Sequence, residues 1–115
     1  MRITALFLAI VLIVSMPTSA NAAPRALIVD AILEFDSTTA ICEATVVGNN
    51  ATDYIEVLLK LMHGPYCVGT WFDTGYHYVD MQGTTTVIKG DTYKLVVEVT
   101  INGVKQEPVS VSEVC

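Results

Sequence analysis

The stretch Tyr93-Lys94-Leu95-Val96-Val97-Glu98-Val99-Thr100-Ile101-Asn102-Gly103-Val104 decides the fold. Tyr93, Leu95, Val97, Val99 and Ile101 fall at every second position, with Lys94, Glu98 and Thr100 between them. A period of two puts one set on a buried face and the other toward water, which is a half-buried strand. Asn102-Gly103 then supplies the pair of positive-φ residues that a type I′ hairpin turn requires. The chain should therefore fold back, with Val104 to Val114 as the returning strand. Pro108 has no N–H to give a ladder, so that strand belongs at a sheet edge.

The same pattern extends toward the N-terminus. Leu27 to Phe35 alternates Leu27, Val29, Ala31, Leu33 and Phe35 against Asp30, Glu34 and Asp36. Thr39 to Val47 alternates Ala40, Cys42, Ala44 and Val46 against Glu43 and Thr45, and Gly48-Asn49-Asn50 ends it. Tyr54 to Met62 reads two ways. Ile55, Val57, Leu59 and Leu61 make a strand face, whereas Ile55, Leu58, Leu59 and Met62 make a helix face, with Asp53 and Glu56 as a capping box. The short length, the Gly64-Pro65 stop and the neighbouring strands favour the strand. Cys67 to Phe72 follows, closed by Asp73-Thr74-Gly75, and then Tyr76 to Ile88, with Gly83 as a bulge or kink. Seven strands separated by regular turn signals predict an all-β, antiparallel sandwich of two sheets.

Upstream of these strands lies a different kind of segment. Arg2 precedes an apolar run from Ile3 to Val14, Ser15 to Ser19 break it, and Ala20-Asn21-Ala22 offers small residues to a signal peptidase. Residues 1–22 are expected to be a cleavable secretion signal, cut after Ala22 or, as second choice, after Ala20. The run falls short of the roughly 20 residues needed to span a bilayer. Residues 23–115 are then one domain, secreted to the extracellular side. The full chain carries −6, and Arg2 is the only charge in the leader, so the mature chain is more acidic still. Such a charge argues against nucleic acid and against anionic lipid as partners.

Three cysteines, Cys42, Cys67 and Cys115, leave one over if a pair oxidises outside the cytoplasm. Strand order places Cys42 and Cys115 at the same end of the sandwich, without excluding Cys67. The order Phe35-x-x-Thr38-Thr39-Ala40-x-Cys42, Trp71-x-x-x-Gly75, Val87-x-Lys89-Gly90-x-Thr92-Tyr93-x-Leu95, Ile101-Asn102-Gly103 and a terminal Cys115 resembles a group of small secreted immunoglobulin-like proteins of Gram-positive bacteria, gut clostridia among them, with no assigned activity. The resemblance spans about residues 26–115. It implies an immunoglobulin-like sandwich and supports a Cys42–Cys115 disulfide, with Cys67 outside the pair. It also implies a tyrosine corner at Gly90-Asp91-Thr92-Tyr93, where a Tyr hydroxyl bonds back to nearby backbone.

Residues that bear chemistry are few. Cys67 with His63 or His77 would be the nucleophile pair of a small hydrolase, and the three together a zinc set, though the paired Cys/His spacings of zinc sites are absent. Asp36, Asp53, Asp73, Asp80 and Asp91 fall in or near turns, where calcium ligands also occur, but without an Asp-x-Asp-x-Asp loop. Asn50-Ala51-Thr52 matches a glycosylation sequon. No cofactor motif is present, and no cofactor is expected. Tyr66, Trp71, Phe72, Tyr76, His77 and Tyr78 form an aromatic-rich stretch, in which Trp71 is either core or exposed. The expectation is a non-enzymatic module for protein or surface interaction, with Tyr66, Tyr76 and Tyr78 as its binding surface. The alternative is a carbohydrate-binding module built on Trp71, Tyr76 and Tyr78. Its partner would be an extracellular protein or glycan, and the chain a monomer unless Cys67 crosslinks.

Overall fold

The computed structural model describes residues 26–115, with side chains from residue 28; the expected leader and its cleavage point lie outside them. The strands are β1 (Ala26–Asp36), β2 (Thr39–Gly48), β3 (Tyr54–His63), β4 (Tyr66–Tyr76), β5 (Tyr78–Thr86), β6 (Thr92–Ile101), β7 (Val104–Lys105) and β8 (Val109–Val114). One sheet has the order β1-β2-β5. The other runs β4-β3-β6, with β7 and β8 both paired to the far side of β6. Every pairing is antiparallel. The architecture is all-β, two sheets face to face.

Alternation explains the core. Ala40, Cys42, Ala44 and Val46 of β2, Ile55, Val57, Leu59 and Leu61 of β3, and Tyr93, Leu95, Val97, Val99 and Ile101 of β6 are all buried. Register matches these sets row by row, as with Leu59 opposite Val97 and Ile55 opposite Ile101. The Tyr54–Met62 segment is thus a strand, the central one between β4 and β6. Asn102 and Gly103 have φ of 50° and 82°, and Ile101 pairs with Val104 across them, as the type I′ reading requires.

The strand count is eight rather than seven because the last strand is divided. Lys105 pairs with Thr100, but Val109 pairs with Val97, so one extra residue is accommodated between them. Without it, Pro108 and Ser110 would oppose the buried Val97 and Leu95. With it, Val109 and Val111 oppose them and pack on the core. A bulge that resets the two-residue period is the cause of the break, and Pro108 occupies the gap where no ladder N–H is needed.

β4 also departs from expectation. Asp73-Thr74-Gly75 is not a turn but continues the ladder, with Thr74 opposite Glu56 and Gly75 opposite Ile55. The chain changes sheet at His77, whose φ is 73°. A Cβ on Gly75 would lie 2.8 Å from the Tyr78 carbonyl oxygen, so this glycine serves close approach and not a turn. Gly83 likewise is neither bulge nor kink, since it pairs regularly with Cys42. A Cβ there would come 2.3 Å from the Trp71 ring, and one on Gly69 within 2.5 Å of it. The indole occupies a slot left by two glycines and packs half-buried against the core.

The anticipated disulfide is absent, and all three cysteines are free thiols. Cys42 sits mid-strand between Leu33 and Gly83. Cys115 lies at the β1–β2 turn, its Sγ 3.4 Å from the Ser37 carbonyl oxygen. Cys42 is fully buried within β2, whereas the Cys115 thiol is engaged by backbone at the β1–β2 turn.

Candidate interaction surface

The three tyrosines singled out from sequence are all exposed: Tyr66 at 72%, Tyr76 at 67% and Tyr78 at 58%. They do not form one patch. Tyr66 and Tyr76 begin and end β4, about 30 Å apart at the strand rise. Tyr76 is opposite Tyr54 on the outer face of the five-stranded sheet, with ring centroids 5.2 Å apart. Tyr78 is opposite Val47, on the outer face of the other sheet. The sheet change at His77 therefore sends neighbouring tyrosines to opposite sides of the molecule. Trp71 points between the sheets, so Trp71, Tyr76 and Tyr78 cannot make the flat platform that sugar stacking uses.

Phe72 is the aromatic that sequence reading left out of the site. It is 62% exposed, and its partner across β3 is Leu58. Alternation would have found it: once Trp71 is inward, Phe72 must be outward. Around Phe72 the outer face carries Leu58, Tyr54 and Tyr76, then Met62 and Val96. Lys60 and Glu98 run through this surface as a 2.6 Å ion pair, and Lys105 joins Glu98 at 3.5 Å. Their contact, through the hydrogen bond first, raises the Lys60 pKa and lowers that of Glu98. The face mixes exposed aromatic and aliphatic side chains with Glu56, Lys94, threonines and a neutralised charge pair, a composition suited to protein contact.

The hydrolase constellation is not assembled. Cys67 pairs with Met62 and shares the outer face, its Sγ 3.4 Å from the Gly69 carbonyl oxygen and 3.2 Å from Thr70 Oγ1. His63 belongs to the opposite face of β3. There its ring stacks on Tyr93 at 4.7 Å, and its Nε2 is 3.0 Å from Asp91 Oδ2. Tyr93 is itself fixed, its hydroxyl accepting the Ile88 N–H at 2.8 Å in the manner of a tyrosine corner. His77 lies at the other pole. Burial pushes the Cys42 thiol up to about 11, which keeps it protonated and unreactive. Among the described residues no three His, Cys, Asp or Glu side chains gather closely enough to hold a metal ion.

The turn aspartates have separate duties. Asp80 bonds Thr45, and Asp91 holds His63. Asp53, only 2% exposed, is the hub of its pole. Its carboxylate accepts the N–H groups of Asn49 and Asn50 at 3.1 and 3.0 Å, and the Asn102 side-chain amide at 3.1 Å. Asn102 in turn accepts the Tyr54 N–H, and the Asp53 carbonyl accepts that of His77. One residue thus ties three connections together, its carboxylate joining β2–β3 to β6–β7 and its backbone carbonyl holding β4–β5. Sequence suggested only a local cap, because the contact to Asn102 spans 49 residues. No protein-family model matches the chain, and no curated protein matches it.

Proposed function

We propose that this chain is an extracellular, non-enzymatic immunoglobulin-like module that binds a protein partner through the outer face of its five-stranded sheet. One observation carries the reading: Phe72 and Tyr76 stand 62% and 67% exposed on a face shared with Leu58, Met62 and Val96. Large aromatics held out to water by a rigid ladder are the residues that dominate binding energy when a partner desolvates them. The strand order and the Tyr93 corner support the immunoglobulin-like type, as does the resemblance in the turn and core motifs. A sandwich fold by itself assigns no function, and the exposed face is what supports this reading.

Capture of extracellular and envelope proteins by the mature domain tests this. Phe72→Ala with Tyr76→Ala should remove capture. Tyr78→Ala, on the other sheet, should leave it intact. If Tyr78→Ala abolishes capture and the double variant does not, the site is on the wrong face.

A further inference from the structure

Among the described residues β4 is an open edge of the five-stranded sheet, with its Thr74 N–H capped by the Asp73 carboxylate at 2.8 Å. Its sequence, Tyr66-Cys67-Val68-Gly69-Thr70-Trp71-Phe72-Asp73-Thr74-Gly75-Tyr76, is aromatic and β-branched, with one charge, no lysine and no proline. It pairs with β3 on one side, and no described strand pairs with it on the other. The remaining edges differ. β1 carries Asp30, Glu34 and Asp36; β5 has a single carboxylate, Asp80, as β4 has Asp73, but lies in a sheet with no basic residue; and the β7–β8 edge is broken by a bulge and Pro108. An open edge presents a row of backbone N–H and C=O groups, and what satisfies them is another extended strand.

We propose that β4 is the docking edge for a second copy of this chain, paired antiparallel about a two-fold axis at Phe72. The proposal rests on the reading of the β4 surface as a contact surface. The second copy is favoured because the strand is its own complement in this register. Phe72 meets Phe72 of the second copy, Thr70 meets Thr74 and Thr74 meets Thr70, the aromatic and Thr–Thr pairs that stabilise antiparallel strands. The single carboxylate, Asp73, faces Trp71 and not its own equivalent. The β4 sheet also carries Lys60, Lys94 and Lys105, whereas the β1-β2-β5 sheet has no basic residue, so of the two edges with a single carboxylate β4 is the one where two acidic copies repel less. All these pairs fall between Gly69 and Gly75, clear of the irregularity near Val68. The two five-stranded sheets become one continuous sheet, and Cys67 lies away from Cys67 of the second copy, so the association is not covalent.

Sedimentation of the mature chain from micromolar to millimolar concentration, with reductant, should show a reversible monomer–dimer equilibrium. Thr70→Lys with Thr74→Lys sets lysine against lysine twice in the dimer and should weaken it at least tenfold. Thr70→Glu with Thr74→Lys sets opposite charges together, both across the axis and against Lys60 and Glu56 of β3, and should match or exceed the wild type. Hydrogen exchange should show β4 amides gaining protection with concentration, a readout that needs no variant. A wild type that stays monomeric, protection gained on another edge, or equal effects from both charge designs would overturn the dimer. A monomer whose capture still depends on Phe72 and Tyr76 would sink only this inference. A β4 dimer that captures nothing would sink only the foreign-partner reading.

Discussion

Asp53 shows how much one side chain can hold at a pole otherwise made of turns. The Asn50 backbone N–H is the largest of the effects that keep its carboxyl below the ordinary 3.8; burial opposes it, while Asn102, the Asn50 side chain and the Asn49 N–H add to it. A carboxyl whose folded pKa is depressed contributes stability above its unfolded value and loses it as pH falls through the folded one. Thermal midpoints of the wild type should therefore drop as pH falls below about 4. Asp53→Asn should melt lower at neutral pH and lose part of that acid dependence. Identical pH profiles for the two would remove Asp53 from the account. Sequence marked Asp53 as a turn residue, and no local pattern could have revealed its bond to Asn102. The same limit applies to Gly83, which reads as a bulge or kink when its role is to leave room for the Trp71 indole from another strand.

At the level of elements, alternation was legible and interruption was not. β1, β2, β3 and β6 follow from the two-residue period because each has a face of aliphatic side chains against a polar one. β4 was cut short because Asp73-Thr74-Gly75 has turn composition, yet on an edge strand those residues are simply solvated. The divided last strand was hidden because both halves are polar enough to pair either way. Only the buried partners on β6 fix which valines turn inward. Inserting a residue after Glu107 should turn Val109 and Val111 to water and cost about 2 kcal/mol for two half-buried valines. Deleting Glu107 removes the extra residue while keeping both valines inward, so it should cost less in urea denaturation. Equal losses would mean that the bulge does not set the register.

Across the whole molecule, charge is segregated by sheet. β1, β2 and β5 carry Asp30, Glu34, Asp36, Glu43 and Asp80 and no basic residue. Asp30 and Asp80 flank Thr45 in one row, with Glu43 diagonal to both, at about 7–8 Å. The Lys60–Glu98 and Lys105–Glu98 pairs belong to the other sheet. Moderate sodium chloride should therefore raise the urea midpoint of the domain by screening this repulsion. A midpoint that falls with salt would show the ion pairs to outweigh the acidic face. The two ends of the described chain leave this sandwich at opposite poles. Ala26 pairs with Gly48 beside the Asp53 hub, while Cys115 contacts Ser37 at the far turn. Tension between a tether at one end and a load at the other would run parallel to the strands. It would pull on the β1–β2 and β6–β8 ladders in shear, many bonds sharing the force, in place of the one-by-one unzipping that a transverse pull produces.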